Sequence, residues 1–134
     1  MAMIQSFTVK THSRSELLDI TRQVSEIVSA SGIHSGICQV FITHTTAGVT
    51  INENADPDVT TDILQTLEKT IPWRNGYRHF EGNSAAHIKA SLMGFSTVVP
   101  VENGYLVLGT WQCIYFCEFD GPRTRNVTVN MIGG

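Results

Sequence analysis

The sequence has no long apolar run. None approaches the about 20 consecutive apolar residues that a membrane-spanning helix needs, and Met1–Lys10 has no basic flank leading into an apolar stretch, so it does not read as a secretory signal. Cysteine is scarce: Cys38, Cys113 and Cys117 are the full set. An odd count without paired spacing points to reduced thiols in a cytoplasm rather than to a disulfide framework. Cys113 and Cys117 lie an even number of residues apart, share one face of a strand, and read as small core residues. Charge is also modest. A net charge of −3 gives no electrostatic reason to bind nucleic acid or a membrane surface. The aromatic residues are not interleaved with basic ones, which argues against a stacking surface for single strands. There is no glycine-rich phosphate loop with its lysine, no dinucleotide fingerprint and no serine or cysteine triad.

What is present fits one domain over residues 1–134. The chain has 134 residues, 42% of them hydrophobic, enough for one core without staples. Ile4–Thr11 alternates as a strand. Ser13 with Glu16 three residues later has the form of a capping box, and Leu17, Ile20, Val24, Ile27 and Val28 recur at helical spacing, predicting a helix over Glu16–Ala30 that Gly32 closes. Gly36–His44 and Thr46–Asn52 read as strands. Asp56-Pro57 starts a helix whose stripe is Val59, Ile63, Leu64, Leu67 and Ile71. Trp73–Gly82 is a loop, and Asn83 caps a third helix, Ser84–Met93, closed by Gly94. Ser96–Val101 and Tyr105–Leu108 form a hairpin around Asn103-Gly104. Thr110–Phe119 is apolar on both faces, hence central, and Arg123–Met131 alternates as the last strand. The pattern predicts an α+β fold: a mostly antiparallel β-sheet or sandwich with about three helices packed outside.

Three polar groups carry the chemistry. The first is His44-Thr45-Thr46 with Asn52-Glu53-Asn54-Ala55-Asp56, which runs from a strand end to a helix N-terminus suited to phosphate. Capping and turning account for Asp56 taken alone; they do not account for two carboxylates and two amides within five residues. The second is His79 with Asn83 and His87. His87 lies about one turn into the helix that Asn83 caps, so His44, His79 and His87 are candidate ligands for a divalent metal, zinc or, with more carboxylate, magnesium. The third is Gln112, Glu118, Asp120, Arg123 and Arg125. A glutamate at the end of a mostly apolar face is unusual for pure core, and the two arginines suit either an ion pair with the Asp120 turn or bidentate phosphate contacts. The candidate catalytic residues are therefore Glu53, Asp56 and Glu118. The candidate substrate or phosphate contacts are Thr45, Asn54, Asn83, Gln112, Arg123 and Arg125.

The strings His44-Thr-Thr-Ala-Gly, Ile51-Asn-Glu-Asn-Ala-Asp56, Glu81-Gly-Asn83 with His87, Pro100 to Gly104, Gly109-Thr-Trp-Gln112 and Glu118-Phe-Asp-Gly121 with Arg123 resemble the YjbQ-like family, also called the secondary thiamine-phosphate synthase family. The resemblance implies a small sandwich-like domain that assembles as a homotrimer, with a polar site at or near a subunit interface. It also implies a weak transferase activity that joins a hydroxymethylpyrimidine diphosphate to a thiazole phosphate and releases diphosphate. Departing diphosphate needs positive charge near its oxygens, from a metal, from Arg123 and Arg125, or from a helix N-terminus. Two other readings stand beside this one: a metal-dependent hydrolase of a small phosphorylated substrate, and a non-catalytic trimer that binds a metabolite or anion. None of the three calls for nucleic acid or a membrane as partner.

Overall fold

The computed structural model describes every residue, Met1–Gly134. Eight strands and three helices follow in the order β1 (Ala2–Lys10), β2 (Glu16–Asp19), α1 (Thr21–Ser31), β3 (Gly36–Phe41), β4 (Ala47–Glu53), α2 (Pro57–Thr70), α3 (Ser84–Met93), β5 (Ser96–Glu102), β6 (Tyr105–Leu106), β7 (Gln112–Glu118) and β8 (Thr124–Gly133). The strands form a five-stranded sheet, β1-β8-β3-β5-β6, and a three-stranded sheet, β2-β7-β4. Every pairing is antiparallel. The two sheets are tied at one corner, where the Ile42 and Val49 amides donate to the Phe95 and Gly94 carbonyls. No helix is long and apolar enough to cross a membrane.

Alternation explains the core. Val40, Val99, Val127, Val129 and Met131 from the large sheet meet Val49, Ile114 and Phe116 from the small one, with Val24 and Val28 of α1 packed among them. Cys113, Tyr115 and Cys117 on the opposite face of β7, with Phe119 just beyond its end, are covered by Ala86 and Ala90 of α3. β7 is thus buried on both sides, as its two apolar faces predict. The hairpin also follows its sequence: Asn103 and Gly104 have φ of 53° and 79°, the left-handed pair that a two-residue turn demands. Ile4, Ile37, Phe41, Val98 and Ile132 stay exposed on the outer face of the large sheet.

The predicted helix over Glu16–Ala30 is split. Glu16–Asp19 is a strand paired with Tyr115–Glu118, and the helix begins only at Thr21. Pairing with the central strand overrides the helical spacing, because it lets Leu18 pack against the main core and Leu17 against the second cluster. The Ser13 capping box does not form. Glu16 instead accepts from the His12 amide, and Asp19 accepts from the Thr21 amide at the true helix start. Gly32 does close α1, with φ of 72°.

Candidate functional site

A cleft of about 510 Å³ opens at one end of the sandwich, and no apolar side chain lines it. Its floor comes from the β3–β4 link, its walls from the start of α3 and from the turn between β7 and β8.

His44 follows β3 by three residues. The ladder between β3 and β8 ends at the Phe41–Thr128 pair, so the Asn126 amide lies beyond its last strand partner. The His44 ring supplies one: Nε2 accepts from the Asn126 N–H at 2.8 Å. Burial and the nearby Arg125 hold its pKa below the ordinary 6.5. A neutral imidazole whose Nε2 is an acceptor carries its proton on Nδ1, so the free edge of His44 is a hydrogen-bond donor.

Arg125 is almost fully buried beneath the cleft. Its Nε donates to Glu118 Oε1 at 2.9 Å, and its Nη2 donates to Glu118 Oε2 and to Thr46 Oγ1. Glu118 has no exposed surface. It also accepts from the Thr11 hydroxyl at 2.8 Å and from the Phe119 and Asp120 amides at 3.0 Å each. Burial pushes the carboxyl pKa up; Arg125, the Asp120 amide and Thr11 outweigh it and hold it below the ordinary value. The glutamate at the end of an apolar face is therefore a counter-ion that fixes an arginine, with no oxygen left for substrate.

Arg123 grips the turn before it. Its Nε donates to the Asp120 carbonyl at 2.7 Å and its Nη2 to Asp120 Oδ2 at 2.8 Å. The same carboxylate oxygen accepts from Asn83 Nδ2 at 2.9 Å. Asn83 does not cap α3 with its side chain; its Nδ2 donates to Asp120 and its Oδ1 meets no helix amide. Asn83 Oδ1 is the only buried side-chain polar atom without a partner. His79 and His87 meet edge to face with ring centroids 5.6 Å apart, and His79 Nε2 lies 3.9 Å from Glu81.

The cleft therefore unites His44, Thr45, His79, Asn83, His87, Arg123 and Arg125, all nominated from sequence. Thr43, Thr46, Glu81 and Asp120 join them. Thr46, Glu81 and Asp120 already stand in the polar groups and motif strings read from the sequence; Thr43 does not. Glu53, Asn54, Asp56 and Gln112 lie at the other end of the small sheet. Ala47 pairs with Glu118 and Glu53 with Gln112, so the length of β4 sets the two ends about 20 Å apart. Asp56 there caps α2 by accepting from the Asp58 amide at 2.9 Å. Asn54 bonds to Asp19, and Gln112 accepts from the Gly109 amide.

A zinc or magnesium site formed by His44, His79 and His87 does not fit this arrangement. No group of three His, Cys, Asp or Glu side chains converges on a point where an ion could sit. The acceptor nitrogen of His44 is also already engaged by Asn126. Nor do the cysteines offer a nucleophile: burial pushes Cys38 up to about 11, Cys117 up to about 12 and Cys113 upward as well, so all three remain thiols.

Residues 5–134 match the family model described as UPF0047 protein YjbQ-like. The UPF0047 protein YugU of Bacillus subtilis is 53% identical over 98% of this chain and all of that one. The chain belongs to the YjbQ-like UPF0047 family. Among solved members, an uncharacterised YjbQ/UPF0047 protein of Clostridium acetobutylicum superposes with a TM-score of 0.94 at 56% identity, covering 96% of this chain and 99% of that one. A protein of Sulfolobus solfataricus, described as of unknown function, superposes at 0.96 with 38% identity, covering 100% of this chain and 99% of that one. The YjbQ-like fold is thus shared along the whole chain.

Proposed function

We propose that the cleft binds a phosphorylated small molecule and that the protein is a small-molecule transferase resembling secondary thiamine-phosphate synthase. The reaction would join a hydroxymethylpyrimidine diphosphate to a thiazole phosphate with loss of diphosphate, in the cytoplasm. One observation carries the reading: a cleft without apolar lining presents two guanidinium groups and an imidazole N–H that can donate. Such groups recognise phosphate oxygens and stabilise the charge that grows on a departing diphosphate. Arg125 is already held by Glu118 and Thr46, so it loses little freedom when a ligand arrives. Arg123 and the His44 Nδ1–H supply the remaining contacts. Asp120 and Glu81 are the carboxylates at hand for a proton or for a cationic ring.

The reading includes a homotrimer. The outer face of the large sheet supports it, because Ile37, Phe41, Val98 and Ile132 expose 40–52% of their surfaces with no layer over them. Glu53 and Asp56 stand about a strand length from the cleft of their own chain; they reach such a cleft only from another subunit.

The test is a coupling assay with both precursors, following thiamine phosphate and released diphosphate. Product should form, and Arg123→Ala and His44→Ala should lower its rate at least tenfold without unfolding the protein. Chelation should leave phosphate binding unchanged. Phosphate binding without product would support the metabolite-binding reading instead. Phosphate release from single precursors would support a hydrolase.

A further inference from the structure

A second cleft of about 430 Å³ adjoins the first, and the two share His79 and Glu81 as a common wall. Their chemistry differs. The first has no apolar side chain; the second is lined by Trp73, Tyr77 and Arg74. The aromatic pair is fixed in place. Arg14 lies over the Trp73 ring with its guanidinium carbon 4.2 Å from the centroid, and the Tyr77 hydroxyl donates to the Pro72 carbonyl at 2.8 Å. Two held aromatic side chains and a guanidinium plane beside a phosphate-type cleft have the composition of a stacking site for a ring. Each cleft lies within the usual size range of small-molecule sites.

We infer that the two clefts form one bipartite site for a phosphate ester of an aromatic or heteroaromatic ring. The phosphate sits against Arg123, Arg125 and His44, the ring packs between Trp73, Tyr77 and Arg74, and the linking atoms pass His79 and Glu81. The inference rests on the phosphate reading of the first cleft; it does not depend on the coupling reaction.

The test uses two probes that differ by the ring alone, ethyl phosphate and 2-phenylethyl phosphate, titrated into the protein while amide and indole N–H signals are followed by NMR. Trp111 lies beside Gln112, at the far end of the small sheet, and serves as an internal control. 2-Phenylethyl phosphate should bind about tenfold tighter than ethyl phosphate, as stacking of one ring predicts. It should shift the Trp73 indole and leave Trp111 unmoved. Arg123→Ala should weaken both probes and leave their ratio unchanged. Equal affinities with an unmoved Trp73 would overturn the ring site while the phosphate reading stands. 2-Phenylethyl phosphate binding that ignores Arg123→Ala would overturn the joined site. Failure of both probes to bind would overturn the inference together with the phosphate reading beneath it.

Discussion

Replacing Glu118 by glutamine changes one oxygen to an amino group and removes one charge. The surroundings decide what that costs. Oε1 of Glu118 meets the Thr11 hydroxyl and Arg125 Nε; Oε2 meets the Phe119 and Asp120 amides and Arg125 Nη2. All five partners are donors. Whichever way the new amide sits, its NH₂ confronts at least two of them, and Arg125 keeps a buried charge without a counter-ion. Breaking a buried pair from one side costs about 3–5 kcal/mol, against a total stability of roughly 5–15 kcal/mol. The lower end is expected, because Arg125 also borders the cleft. The pH dependence gives an independent check. The Glu118 carboxyl is held below its ordinary 4.5 in the folded chain, so it contributes stability above that value and loses it as pH falls through the folded pKa. Glu118→Gln should remove that acid-sensitive part and flatten the stability curve below about pH 4.5. Urea unfolding of Glu118→Gln, Arg125→Met and the double variant between pH 3 and 7 measures both effects. The double variant should lose far less than the sum of the singles. Additive losses, or an acid limb unchanged in Glu118→Gln, would refute the assignment of Glu118 as the counter-ion of Arg125.

His44 should titrate below 6.5 and show the Nδ1–H tautomer in ¹⁵N-detected imidazole spectra. Its folded pKa is lowered by burial and by Arg125, so the unfolded chain takes the proton first, and stability should decline as pH drops below about 6.5; a neutral imidazole with its proton on Nε2 sinks the Asn126 contact. Gly48→Ala should cost about 1–3 kcal/mol, because a Cβ there would stand 2.6 Å from the Gly94 carbonyl oxygen, and wild-type stability in that variant would contradict the close approach. Lys89 is buried with its ammonium 2.6 Å from a half-exposed Glu68. Lys89→Met should be neutral or stabilising, whereas Glu68→Gln should lower the melting temperature by leaving the ammonium unpaired; the reverse order would show that the pair matters for more than its own neutralisation.

Much of the fold is legible in the sequence because most elements follow a single period. Alternation identifies β1, β3, β4 and β8, two apolar faces identify β7, and Asn103-Gly104 identifies the β5–β6 hairpin. Residues Glu16–Asp19 fail because two periods coincide. Leu17 and Ile20 fit the stripe of α1 as well as they fit an edge strand, and no local rule states that Tyr115–Glu118 lacks a partner on that side. The decision belongs to β7, which is about 100 residues away. Asn83 fails for a similar reason. An asparagine before a helix is a good cap, until its Nδ2 bonds an aspartate from a distant turn and its Oδ1 is left off the helix amides.

The site was legible in its residue types and misleading in its grouping. His44 and Glu53 are neighbours in sequence, yet β4 lies between them, and an extended strand is a spacer that adds about 3.3 Å per residue. Thr46 and Arg125 are 79 positions apart and share a hydrogen bond. Adjacency in sequence brings functional groups together across a turn or one helical turn, as it does for Asn83 and His87, and drives them apart along a strand. The same reasoning sorts the carboxylates. Glu118 faces inward at a strand end, beside the one arginine that β8 buries, so its charge is consumed in placing Arg125. Asp120, two residues on, has turned the corner, holds Arg123 and Asn83 together, and faces the cleft. A polar residue at the end of an apolar strand is thus a support, and the first polar residues of the turn beyond it are the ones a ligand can reach.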